Sequence, residues 1–128
     1  MSSAVMPDTD VLVDFLRGRP EALAFVDAHI DEIVLSPIVV AELYAGVRGE
    51  PELAVLDALV SGFPVASLTA EVAKAGGLYR RTYGKSHGVG LPDAILAALA
   101  QSERAELKTL NVKHYPMFSG LKPPYRKT

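Results

Sequence analysis

This chain of 128 residues predicts an α/β fold, a short and mostly parallel sheet with helices on both faces. Three observations predict it. Apolar runs of strand length, at residues 4–6, 32–35, 64–67 and 106–109, alternate with longer stretches of helical period. Crossover connections through helices make the strands parallel and place helices on both sides of the sheet. No repeat, low-complexity segment or linker divides the sequence, and its length suits one domain.

Each element has a local reason. The strand at 4–6 runs into Asp8-Thr9-Asp10, residues suited to cap a helix over 11–17. Gly18 stops that helix. Pro20-Glu21 opens the next, running to residue 30, with Leu23, Phe25, Val26 and Ile30 turned inward. The second strand, 32–35, ends at Ser36-Pro37, a cap followed by Pro at the first helical position, which starts the helix carrying Glu42. Residues 51–61 form an amphipathic helix with Leu53, Leu56, Leu59 and Val60 inside. A third strand at 64–67 leads to a helix over 69–83, an exposed loop over 84–90, a helix over 92–103 and the strand at 106–109. Beyond Asn111 the chain turns through Tyr115-Pro116 and Gly120 and ends in residues 121–125.

Composition excludes several classes. With 49% hydrophobic and 22% charged residues the chain is an ordinary globular protein. It has no cysteine, which excludes disulfides and thiolate zinc sites and suits a reducing cytoplasm. No apolar run approaches the roughly 20 residues that span a bilayer, and the first residues lack a signal-peptide pattern. The expectation is therefore a cytoplasmic protein with no membrane segment. Charge is unevenly spread: residues 1–73 hold 3 Lys/Arg against 12 Asp/Glu, and residues 74–128 hold 10 against 3. Such polarity suits an acidic, cation-holding cleft beside a basic surface for a polyanion, unless folding mixes the two halves.

Three carboxylates stand in apolar surroundings: Asp8 between two apolar runs, Glu42 alone between Pro37 and Val47, and Asp93 at the head of Ala94-Ile95-Leu96-Ala97-Ala98-Leu99-Ala100. Desolvating an unpaired ion costs several kcal/mol, so about that much must be returned by a partner if they are buried. If they converge, a divalent cation is the economical partner, because clustered carboxylates without one repel. Each also has a plainer reading. Asp8 and Asp10 suit helix caps, Asp14 a solvated helix face, and Asp93 the favourable dipole of a helix start. The three histidines, His29, His87 and His114, are scattered. No nucleophile elbow, Walker loop or Gly-x-Gly-x-x-Gly is present.

Four segments in order resemble the PIN-domain nucleases, and in particular the VapC-type ribonuclease toxins of toxin–antitoxin pairs. They are Asp8-Thr9-Asp10-Val11-Leu12-Val13-Asp14, the stretch Ser36-Pro37 through Glu42 to Gly46, Gly90-Leu91-Pro92-Asp93-Ala94, and Thr109-Leu110-Asn111-Val112-Lys113-His114-Tyr115-Pro116. The resemblance implies a PIN-like three-layer α/β/α sandwich and an endoribonuclease dependent on Mg2+ or Mn2+. It implies that Asp8, Glu42 and Asp93 hold the metal and position the attacking water, supported by Thr9, Asp10 and Ser36. This sequence departs from the family at Asn111, where many members have aspartate, and at Asp10, where asparagine is usual. One metal rather than two is then expected, with Asn111 reaching a metal-bound water. Pro7 replaces a typical strand residue and is expected to shorten the first strand.

Arg80, Arg81, Lys85 and His87 bracket the loop before Asp93, and Lys113, His114, Arg126 and Lys127 lie late in the chain. These are candidates for RNA phosphate contacts, with plain solubility as the alternative. Tyr79, Tyr83 and Tyr115 are candidates for base stacking, or at helical spacing for packing. The resemblance also implies a small antitoxin whose tail covers the acidic cleft, often through an Arg, and a homodimer or hetero-oligomer. Helices 20–30 and 51–60 are candidates for that partner surface or for self-association. Competing readings are a haloacid-dehalogenase-type phosphatase built on Asp8 and Asp10, a non-catalytic RNA-binding or interaction module, and a housekeeping RNA-processing nuclease without an antitoxin.

Overall fold

Val5, Met6 and Pro7 are all buried, and they form the centre of the sheet. In the computed structural model, which describes residues 3–126, β1 (Val5–Pro7) pairs in parallel with β2 (Glu106–Lys108), Met6 opposite Leu107. Two further extended segments join through single parallel bridges, Val5 to Ile33 and Leu35 to Val65. All four expected strand regions thus take part, side by side in the order 65, 35, 5, 106, but two of them are bridges rather than full strands. Pro7 supplies part of the reason. The odd-numbered backbone of β1 faces Ile33: the Val5 N–H donates to Glu32 O (2.8 Å) and Val5 O accepts from Val34 N (2.9 Å). Pro7 has no N–H to continue that side. The even-numbered side is intact, with Glu106 N bonded to Ala4 O and Asp8 N to Lys108 O, both at 2.8 Å. Pro7 therefore lies within the strand and shortens its pairing on one side only.

Among the described residues, six α-helices cover the sheet. α1 (Thr9–Leu16) begins two residues earlier than predicted and ends before Gly18, whose φ of +77° suits glycine. α2 (Pro20–Ala28) packs on α1 and buries Ala22, Phe25 and Val26, while Leu23 and Ile30, expected inside, are 43% and 51% exposed. α3 (Pro37–Ala45) and α4 (Gly49–Ser61) follow, α4 burying Leu56 and Leu59 and leaving Leu53 and Val60 half-buried. α5 (Ala70–His87) runs through residues 84–87, where a loop was expected. An interior glycine costs about 1 kcal/mol in a helix, too little for Gly84 to end one packed along its neighbour. Gly88, in the left-handed region at φ +64°, ends it instead.

α6 (Leu91–Ser102) is the helix of the core, with Ala94 and every residue from Leu96 to Ala100 buried. α5 meets it closely at Gly76: a Cβ there would lie 2.7 Å from Ile95 Cγ1 and 2.8 Å from Ile95 Cα. Past β2, a short 3-10 turn (Val112–His114) precedes the buried Tyr115. The final segment then crosses back to α1, where the Tyr125 hydroxyl donates to Asp14 Oδ2 at 2.8 Å. Asp14, expected on a solvated face, is buried.

Candidate active site

Parallel pairing puts the ends of β1 and β2 on one edge of the sheet, and Asp8 and Thr109 stand directly beyond them. Asp8 caps α1, its Oδ1 accepting from Thr9 N at 2.7 Å. The cap does not exhaust it. Oδ2 accepts from the Thr109 hydroxyl at 2.9 Å and from the Tyr115 hydroxyl at 2.7 Å. The same Tyr115 oxygen lies 3.1 Å from Asp93 Oδ1, so one phenol joins two carboxylates far apart in the sequence. Asp93 sits in the first turn of α6, half-buried, with His114 Nδ1 3.2 Å from its Oδ2. The Thr9 hydroxyl donates to Glu42 Oε1 at 2.7 Å, bringing the third acid to the edge of the group. Glu42 is not enclosed by its apolar neighbours as the sequence suggested. Val39 and Leu43 turn into the core and leave the carboxylate on the exposed side of α3.

Burial raises the Asp93 carboxyl above the usual carboxylate range, and the charge of Asp8 raises it further. Burial first, then Asp8 and Asp93, also push the Tyr115 phenol upward, so it stays a protonated donor. Behind the pair, Asp10 Oδ2 accepts from Leu110 N (3.0 Å), the Asn111 side-chain amide (3.0 Å) and, at 3.4 Å, the Thr109 hydroxyl. Asp10 Oδ1 is buried without a hydrogen-bond partner among the described residues. Its carboxyl is pushed up to about 6, by burial first and the charge of Asp8 second.

The remaining expected residues fall in several places. Ser36 is fully buried and caps α3, its Oγ accepting from Ile38 N at 3.1 Å. Asn111 is exposed and spends its amide on Asp10. Tyr115 is no stacking platform, since it is 1% exposed. Tyr79 and Tyr83 pack together at 6.3 Å between ring centroids, and Tyr79 bonds Gln101. Arg80, Arg81, Lys85 and His87 lie exposed on α5, and Lys113 is exposed beside His114. The link from His87 to Leu91 spans at most about 14 Å, which keeps the last turn of α5 near the start of α6 and Asp93. Arg126 borders a cavity with Asp10 and Asn111; Lys127 lies outside the described residues. Sequence reasoning missed Thr109 and the role of Tyr115. The available signal was a hydroxyl at the end of an apolar strand, six residues before a tyrosine in a turn.

Among the described residues, no three acidic or imidazole side chains already stand together as a metal-binding group. Two carboxylates do meet at one phenol, a third is tied to the Asp8 cap through Thr9, whose hydroxyl bonds Glu42 and whose N–H bonds Asp8, and every carboxylate donor is a hard oxygen. That donor set fits a hard divalent cation, whose charge would relieve the repulsion between Asp8 and Asp93.

The PIN domain profile matches residues 5–114. The chain is 43% identical over 122 residues to the ribonuclease VapC19 of Mycobacterium tuberculosis, covering 92% of this chain and 97% of that protein. It is 39% identical over 124 residues to ribonuclease VapC10 of the same organism, covering 94% and 92%. Among solved structures, one chain of a toxin–antitoxin complex from Klebsiella pneumoniae superposes with a TM-score of 0.83 at 27% identity, over 97% of this chain and 100% of that one.

Proposed function

The chain belongs to the PIN-domain family, and from that premise we propose that it is a divalent-metal-dependent endoribonuclease, the toxin of a toxin–antitoxin pair. Its working place is the cytoplasm, where cutting cellular RNA arrests translation and growth. The observation that supports this most is the meeting of Asp8 and Asp93 at Tyr115, with Glu42 tied to Asp8 through Thr9, in a chain so similar to two ribonucleases. Asp8, Asp93 and Glu42 would hold the cation, Mg2+ or Mn2+. When bound, it supplies positive charge at a phosphoryl oxygen and lowers the pKa of a water.

The chain's own groups do the rest. Thr109 and Tyr115 fix Asp8 in one orientation, and Thr9 steers Glu42 toward the other acids. Asp10 ties Leu110 and Asn111 to the start of α1, so the strand end cannot drift from the helix cap. Arg80, Arg81, Lys85 and Lys113 attract RNA phosphates without reading sequence. No helix among the described residues is long and apolar enough to cross a membrane.

The partner surface we assign is a groove of about 610 Å³ between α1, α3 and α4, walled by Val13, Leu43, Val55 and Leu56 with Arg17 and Arg48 among its charged residues. Of the two helices expected there, α4 lines it and α2 does not. Glu42 also lines the groove, so a peptide lying in it ends beside the acids. An Arg of that peptide would pair with the carboxylates bidentately and displace the cation. The same chain then assembles as a hetero-oligomer with its antitoxin.

Cleavage of labelled RNA in Mg2+ or Mn2+ tests the activity. It should disappear with a chelator, and Asp8→Asn should lower the rate at least about a hundredfold, of the order seen when a ligand or oxyanion donor is lost. Undiminished cutting in either condition refutes the reading. RNA binding without cutting would favour a non-catalytic module. A short protein encoded beside this one that co-purifies and blocks cutting separates a toxin from a housekeeping nuclease.

A further inference from the structure

We propose that the Tyr115 hydroxyl, seconded by Thr109, is the positioning group that clamps Asp8 and Asp93 together and presets that pair to receive a cation. The inference rests on the ribonuclease reading above and assigns a part to two residues outside the acidic set. Tyr115 is 1% exposed, and its one polar side-chain atom faces two carboxylates, 2.7 Å from Asp8 Oδ2 and 3.1 Å from Asp93 Oδ1. A single phenol proton lies between two acceptors that would otherwise repel. Its attraction for both holds them face to face before any cation arrives.

The backbone fixes where that hydroxyl stands. Tyr115 N donates to Val112 O at 3.1 Å, and Tyr115 O accepts from Phe118 N at 3.1 Å, so both sides of the peptide are anchored in the turn. Thr109 is held in the same way: it is fully buried, and its Oγ1 accepts from Asn111 N at 3.0 Å while donating to Asp8 Oδ2 at 2.9 Å. Asp8 Oδ2 therefore faces two hydroxyl donors, that of Tyr115 shared with Asp93 Oδ1 and that of Thr109 shared at 3.4 Å with Asp10 Oδ2. Oδ1 carries one, from Thr9 N. Oδ1 is thus the less engaged oxygen of Asp8 and the one more open to a cation, and the clamp decides which way it points. Phenylalanine at 115 would fill the same volume and leave Asp8 and Asp93 facing each other across a bare ring.

The test is Mn2+ affinity by electron paramagnetic resonance on the full chain, for wild type, Tyr115→Phe, Thr109→Val and Tyr125→Phe. Tyr125→Phe is the control: it removes a phenol–carboxylate bond at Asp14 and should leave the Kd within twofold. Tyr115→Phe should raise the Kd about tenfold, the scale of losing a group that orients a metal ligand, with its circular dichroism unchanged. Its cleavage defect should shrink as Mn2+ is raised, because the loss is in capture. A Kd within twofold of wild type, or a tighter one, overturns the clamp while the ribonuclease reading stands. Should Tyr115→Phe fold poorly, Thr109→Val decides: a several-fold weaker Kd supports the clamp and an unchanged one overturns it. A wild type that neither binds Mn2+ nor cuts RNA brings down both readings together.

Discussion

Asp10 shows at the scale of one residue how the site is held and at what cost. One of its oxygens gathers Leu110 N, the Asn111 amide and the Thr109 hydroxyl, and the other is buried without a partner among the described residues. Burial and the nearby Asp8 push its carboxyl from 3.8 up to about 6. A carboxyl with a folded pKa above its unfolded value binds more protons when folded, so folding is favoured by acid between the two values. The metal-free chain should thus lose stability as pH rises from about 4 to about 6, and Asp10→Asn, with no charge to acquire, should flatten that slope. Urea midpoints across this range check it; an equal slope in the variant refutes it. The sequence made the acids legible because a carboxylate in an apolar run needs a reason. Thr109 and Tyr115 carried no such flag. A hydroxyl is unremarked at a strand end or in a turn, and its meaning here depends on contacts with Asp8 across 101 and 107 positions.

Among elements, α6 carries Asp93 at one end and an uncommon stop at the other. Arg104 N bonds to Gln101 O at 3.1 Å and Ala105 N to Ala100 O at 2.9 Å, the paired bonds of a Schellman ending, with Arg104 in the left-handed region at φ +53°. An L-residue with a Cβ is strained there by about 1 kcal/mol. Arg104→Gly should therefore stabilise the chain by about 0.5–1 kcal/mol, read from chemical denaturation, without changing cleavage. Gly76→Ala should act oppositely. The added Cβ would meet Ile95 Cα at 2.8 Å, and a backbone atom cannot rotate away, so α6 must shift. Overpacking of this kind costs about 1–3 kcal/mol, and because Asp93 is two residues from Ile95, RNA cutting should fall as well. Ile95→Ala in the same chain should not restore it, since the Cα clash remains. Helix starts were legible wherever a cap preceded a proline or an apolar run, as at Ser36-Pro37. The two bridge segments were legible as apolar runs, but a register one pair long is set by neighbours such as Pro7 rather than by pattern.

At the scale of the whole molecule, the charge division along the sequence survives folding in part. The acids Asp8, Asp10, Glu42 and Asp93 gather at one sheet edge, yet His114 and Asn111 from the basic half border them. A polyanion approaching this edge meets repulsion from the carboxylates and attraction from the exposed cations of α5 and the last turn, so cations near the rim must carry the encounter. Arg81 and Lys85 are exposed near the end of α5 that leads to Asp93. Each phosphate neutralised on a single strand adds about 0.7 to the slope of log affinity against log salt. Replacing both by Ala, in the Asp8→Asn background so that RNA stays whole, should lower that slope by about 1.4 and weaken binding by a similar factor for every RNA sequence. Fluorescence anisotropy over a salt series reads the result. An unchanged slope would remove these two residues from the RNA path, and a loss confined to one sequence would make them readers of bases rather than of phosphate.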